Sequence, residues 1–140
     1  MDPIGTIRDG AFEATESDFP PIEGSILDDT KIYCNVMLWE TAFDHDILML
    51  LNTSLSTLMQ MGVIPPTAPP VKDRNLLWTA WIPEEFGIRL EMVKTYVMSK
   101  VKIIFDPPQS SDLRAALQAT IDEYEWRGFF ETDTIFPEGV

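Results

Sequence analysis

Few residues in this chain are able to do chemistry. It has one histidine, His45, and one cysteine, Cys34. His45 stands between Asp44 and Asp46, and three donor side chains in a row suggest a metal site. Adjacent positions on a helix do not converge on one ion. No second His or Cys completes a coordination shell. The cluster reads instead as solvated capping groups at the positive end of a helix. Cys34 falls on the apolar side of a helical pattern. With no base to activate it, it reads as a small buried hydrophobe, not a nucleophile. Glu123 and Glu125, in Asp-Glu-Tyr-Glu-Trp-Arg, are two apart and so lie on different sides of a helix. No glycine pattern of the P-loop or dinucleotide type occurs. The reading is therefore a protein with no catalytic residues, no metal ligands and no cofactor, and not an enzyme.

The elements that position these residues follow from apolar spacing. Ser25 with Asp28 three residues on resembles a capping box. Ile26, Leu27, Ile32, Tyr33, Val36, Met37 and Trp39 then predict a first helix from about Ile26 to Trp39. Asp44 or Asp46 caps a second helix whose buried stripe is Ile47, Leu48, Leu51, Leu55, Leu58 and Met61. It ends at Gly62, before Pro65 and Pro66. Residues 62–83 form a long proline-rich loop, of a length that is often functional. Its apolar piece Asn-Leu-Leu-Trp-Thr-Ala-Trp-Ile folds back on the body as a turn or short strand. A third helix runs from Ile88 or Leu90 to Phe105, with Leu90, Val93, Val97, Val101 and Ile104 inward and Glu91, Thr95, Ser99 and Lys102 outward. Pro107 and Pro108 force the preceding residues out of the helical region. Ser110 or Ser111 caps a fourth helix with Leu113, Ala116, Leu117, Thr120, Ile121 and Tyr124 as its buried face and Gly128 at its end. The fold class is all-α: a small four-helix bundle with two extended arms.

The chain has 140 residues, the length of one domain, and 23 acids against 10 bases give a formal charge of −13. Such a surface repels a phosphate backbone, which argues against a DNA- or RNA-binding domain but not against a protein that DNA must pass without sticking. No apolar run approaches the roughly 18 residues of a membrane span. The segment Met-Asp-Pro-Ile-Gly-Thr-Ile-Arg-Asp-Gly at the start is not a signal peptide. A lone cysteine makes no internal disulfide, so the protein reads as folded in a cytosol.

Acidity concentrates at the ends. Residues 1–24 form an acidic extended arm bearing Ile4, Ile7, Phe12, Phe19 and Ile22, residues 25–128 the helical domain, and residues 129–140 a second acidic arm bearing Phe129, Phe130, Ile135 and Phe136. Buried aromatics anchor interfaces, and two such arms on one small core favour contact with a partner over folding back. Lys94, Lys100 and Lys102 make the third helix the one relatively basic element. Lys94 and Lys102 share a side. They are either a solvated face or a docking strip for the acidic arm of a neighbouring copy. The interface candidates are Phe12, Phe19, Lys94, Lys102, Trp126, Phe129, Phe130, Ile135 and Phe136.

Residues 92–127 resemble the C-terminal half of a family of tailed-bacteriophage head–tail connector (adaptor, or head-completion) proteins. In that family a Val-Lys-Thr-Tyr-Val helix ends in Phe-Asp-Pro-Pro, then a serine-rich cap opens a helix closing in Glu-x-Glu-Trp-Arg. The matching residues here are Val93–Val97, Phe105–Pro108, Ser110 with Ser111, and Glu123–Arg127. Residues 43–63 are similar to the family's earlier helix ending in glycine. The likeness covers about residues 25–127. It implies a virion protein made in the bacterial host cytoplasm and sited at the head–tail interface. Its copies, on the order of twelve, would form a ring joining the portal to a stopper or tail-side protein. DNA would pass through without specific binding, and no membrane is involved. A rival reading from charge alone is an acidic inhibitor or DNA mimic of a basic host enzyme.

Overall fold

The computed structural model describes residues 6–8, 11–13 and 19–128. Among them are four α-helices: α1 (Ile26–Tyr33), α2 (Asp44–Gln60), α3 (Gly87–Phe105) and α4 (Ser111–Glu123). A single turn of π-helix, Tyr124–Gly128, continues α4 to the glycine expected at its end. The fold is the all-α arrangement anticipated from the apolar spacing. In addition, β1 (Thr6–Arg8) and β2 (Ala11–Glu13) pair antiparallel, with Ile7 opposite Phe12. This ladder lies inside the segment read as an extended arm. The dipeptide between the strands is Asp-Gly, which favours a two-residue hairpin connection.

α1 starts where expected. The Ser25 hydroxyl accepts from the Asp28 N–H at 3.2 Å. The Asp28 carboxylate does not close the box on Ser25; it accepts from the Ile22 N–H instead, at 3.0 Å. The helix is shorter than its apolar pattern, ending at Tyr33 and not near Trp39. Asn35 sits at φ 63°. Its N–H donates to Ile32 and that of Val36 to Lys31, the paired bonds of a Schellman stop. Val36 stays in the core, but Met37 is 55% exposed.

α2 buries Ile47, Leu51, Leu55 and Leu58. Its N-cap is Phe43, with no side-chain cap, so the aspartate cap read from sequence is corrected. The carboxylate of Asp44 is instead drawn 2.7 Å from the buried Lys31 ammonium. Gly62, at φ 78°, ends the helix as its position implied. The chain from Val63 to Ile82 then works as a wall of the core: Val63, Ile64, Ala68, Val71, Trp78, Trp81 and Ile82 are buried. The two indoles meet edge to face at 5.7 Å. Each places its N–H, Trp78 on Asp29 and Trp81 on the Pro69 carbonyl, both at 2.8 Å. A buried indole without such a partner would cost about 1–3 kcal/mol.

α3 is the central helix; α1, α2 and α4 each pack on it. Contact on several sides explains two departures from a single inward stripe. Tyr96 and Ser99 are buried beside Leu90, Val93, Val97 and Val101, whereas Ile104 is 63% exposed. α4 has mainly α3 to lie on. Of its expected face only Ile121 is buried, Leu117 and Tyr124 are half-buried, and Leu113, Ala116 and Thr120 face out. The Ser110 cap holds, accepting from the N–H groups of Asp112 and Leu113.

Candidate docking surfaces

The N-terminal arm leaves the domain through a built clamp. The Arg74 guanidinium donates to both Asp28 carboxylate oxygens, at 2.8 and 3.2 Å, and to the Pro20 carbonyl at 2.7 Å. It also lies 5.4 Å from the Phe19 ring centroid. The Ser25 hydroxyl donates to the Arg74 carbonyl at 2.6 Å, and Ser25 bridges to Leu77. Phe19, an interface candidate, is therefore half-buried at the root of the arm. Phe12 lies in β2.

A second knot fixes the hinge after α3. The Asp106 carboxylate accepts from Lys102 Nζ at 3.0 Å and from Asn35 Nδ2 at 3.1 Å. The hydrogen bond from Lys102 holds the Asp106 carboxyl below its ordinary range. Lys102 also donates to the Tyr33 carbonyl and stands 5.6 Å over the Tyr33 ring. It ties the ends of α1 and α3 together and so spends its charge within the chain. Lys31, buried, gathers the next segment by donating to the carbonyls of Leu38 and Glu40 and pairing with Asp44. Burial pushes the neighbouring Cys34 thiol up to about 11. The thiol is thus protonated at neutral pH and inert as a nucleophile.

Two other lysines of α3 also have acidic neighbours. Lys94 lies 3.5 Å from Glu91, and Lys100 lies 3.4 Å from Glu125. Glu125 accepts from the buried Tyr96 hydroxyl at 2.8 Å, which anchors the last turn after α4. Desolvation by burial, then that bond, raises the Tyr96 phenol well above its ordinary range. Trp126, on the same turn, is 71% exposed. Phe129, Phe130, Ile135 and Phe136 lie outside the described residues. The structure thus brings Lys102 and Phe19 toward the end of α1 and places Lys94 and Trp126 elsewhere.

Three surfaces were missed by reading residues one at a time. An apolar groove of about 580 Å³ opens beside the end of α1, lined by Phe19, Pro21, Ile32, Val36, Met37 and Trp39 among others. Its signal was the run of large apolar residues beyond the point where α1 stops. The outer face of α2 carries Met49, Thr53, Ser56, Thr57 and Gln60, with no charge. The exposed row of α4 is the third. Among the described residues no group of His, Cys, Asp and Glu is placed to hold a metal, and no helix is long and apolar enough to cross a membrane.

No curated protein and no solved structure matches the chain. Residues 26–134, which span all four helices, match the phage connector protein family. That span begins on the first residue of α1 and takes in the Phe-Asp-Pro-Pro hinge and the Glu-x-Glu-Trp-Arg turn. The chain belongs to the phage connector protein family, a structural family of the bacteriophage head–tail connection.

Proposed function

We propose that this protein is a structural adaptor in the neck of a tailed phage. Its copies close into a ring that joins the portal of the capsid to the stopper or tail-side protein. The observation that carries the reading is the family match over residues 26–134. Charge is consistent with it. An adaptor must let a duplex slide, and a wall from a chain of charge −13 offers no counterion release to trap it. The acidic arms, with Phe12 and Phe19 on one and Phe129, Phe130, Ile135 and Phe136 on the other, would reach the flanking proteins. Lys94, Lys102 and Trp126 would border the contacts. Synthesis takes place in the host cytoplasm and the working site is the virion.

Electron microscopy of the purified virion, or of portal reconstituted with this protein, tests the proposal. The expected result is density for the four-helix domain between portal and tail. A neck without this chain would refute it. If a pull-down from host lysate instead captured a nucleic-acid enzyme, the acidic-inhibitor reading would stand in its place.

A further inference from the structure

α3 outruns the helix that returns along it. Residues 106–110 join α3 to α4, and α4 with its closing turn packs back on α3. Glu125 in that turn accepts from the Tyr96 hydroxyl and lies 3.4 Å from Lys100. Beyond Glu125 the turn runs only to Gly128. Beyond Tyr96, α3 still has its first turns, back to Gly87, about 14 Å at 1.5 Å per residue.

The face that meets α4 does not stop at Tyr96. Ile88, Met92, Tyr96 and Ser99 recur at helical spacing and share one side of α3. Tyr96 and Ser99 are buried, Met92 is half-buried and Ile88 is 81% exposed. The part that α4 leaves uncovered is a groove of about 540 Å³, lined by Glu85, Phe86, Gly87, Ile88, Arg89 and Met92. A Cβ on Gly87 would meet nothing within 4 Å, so the groove is open there.

The residues that follow Gly128 suit this groove. They are Phe129, Phe130 and Glu131, the start of the acidic arm. Successive side chains of an extended segment point to opposite sides, so one ring of the pair faces the groove in either register. Charge sets the position along α3. Lys100 and Arg89 are eleven residues apart and on the same side of the helix, a separation of about 16 Å. From Glu125 to Glu131 the chain covers about 14 Å, about 4 Å in the closing turn and about 10 Å over three extended residues. Glu131 thus comes level with Arg89 as Glu125 comes level with Lys100. Further along stand Glu84 and Glu85, both exposed. They repel Asp133, so the arm leaves α3 at that point. A segment tethered at the edge of a groove is present there at about millimolar effective concentration, well above a second molecule at ordinary dilution.

We propose that residues 129–131 dock in this groove of their own chain, one phenylalanine ring over Ile88 and Met92 and Glu131 on Arg89. The contact prolongs the α3–α4 interface and needs no second copy. It fixes where the arm departs and leaves Ile135 and Phe136 to a partner. The groove at the root of the N-terminal arm includes Asn35, which bonds Asp106 at the other end of α3. The two arms therefore leave from opposite ends of the central helix, about 25 Å of helix apart. That spacing serves the adaptor reading above; the contact itself does not rest on it.

Ile88→Cys places a thiol in the groove without touching the core. Its alkylation by iodoacetamide, followed by peptide mass spectrometry, tests the contact in the full chain with and without Phe129→Ser/Phe130→Ser. Cys34 is buried and serves as the unreactive reference. The native arm is expected to slow alkylation about fivefold or more, at any dilution. Met49→Cys, on the outer face of α2, should react at one rate with either arm. Glu131→Arg should speed alkylation of Ile88→Cys, and adding Arg89→Glu should restore the protection. Equal rates with both arms would overturn the contact, as would equal protection of Met49→Cys. Protection lost on dilution would overturn it too, since the cover would then be the arm of another copy. A charge swap without rescue would overturn the Glu131–Arg89 pair. None of these results touches the adaptor reading, and a virion neck lacking this chain would refute that reading and leave the contact standing.

Discussion

Replacing Arg74 with alanine would strand the Asp28 carboxylate, and the structure says which member of the pair suffers more. The Asp28 side chain is 3% exposed and that of Arg74 24%. When Asp28 is removed, the guanidinium turns to water and recovers much of its solvation. When Arg74 is removed, the carboxylate stays buried with the Ile22 N–H and has no counter-charge. Breaking a buried pair costs about 3–5 kcal/mol, and the partial exposure of Arg74 discounts its own loss. We therefore expect about 4 kcal/mol for Arg74→Ala and about 2 kcal/mol for Asp28→Ala. The contact with Phe19 adds a fraction of a kcal/mol to the first, on the order of 0.5. The double variant should cost no more than Arg74→Ala alone, a coupling of about 2 kcal/mol. Urea unfolding followed at 222 nm measures all three. Two small, additive effects would refute the reasoning, since they would mean that the pair is solvated like a surface bridge.

Four further outcomes follow from the same geometry. Gly62→Ala, at φ 78°, should lower stability by about 1 kcal/mol in the same urea assay. Ser110→Ala removes the acceptor for two N–H groups at the start of α4 and should cost about 1 kcal/mol, read as lost helicity on heating. Cys34 holds its proton to about 11 when folded, against an ordinary 9.0. The unfolded chain therefore binds fewer protons above pH 9, and stability should be complete below that pH and fall as pH rises from 9 to 11. Hydrogen-exchange stability measured across that window, against Cys34→Ala, checks the sign. Deleting residues 129–140 should leave the helical circular dichroism and weaken assembly; a loss of helix would show that the arm is part of the domain.

How much was legible depended on whether the signal was local. Helix ends written as caps were readable: Ser25, Gly62, and Ser110 beyond the Pro107–Pro108 turn each mark a boundary found in the structure. The end of α1 was not, because its apolar pattern runs on and only the conformation of Asn35 stops the helix. The Asp9-Gly10 dipeptide was a local signal that went unused. Burial was harder still. A helix in the centre of three neighbours hides Tyr96 and Ser99, and one with a single main neighbour leaves Leu113, Ala116 and Thr120 out. Spacing gives the side of a helix, not the number of helices around it. The same gap hid the docking surfaces: that Lys102 is held by Asp106 and by the Tyr33 carbonyl depends on residues far apart in the chain.

The bridge between Ser25 and Leu77 has a consequence for the order in which the molecule comes into being. α1 has eight residues, too few for an isolated helix to persist in water. The N–H of its first residue, Ile26, is met from far along the chain by the Leu76 carbonyl, and Trp78 gives its own N–H to the Gly24 carbonyl. A nascent chain that has emerged only as far as α2 therefore lacks what holds α1 in place. The root of the arm and the groove beside α1 come into existence together, after the loop has been made. The surfaces that would meet other proteins are withheld until the body of the subunit is present.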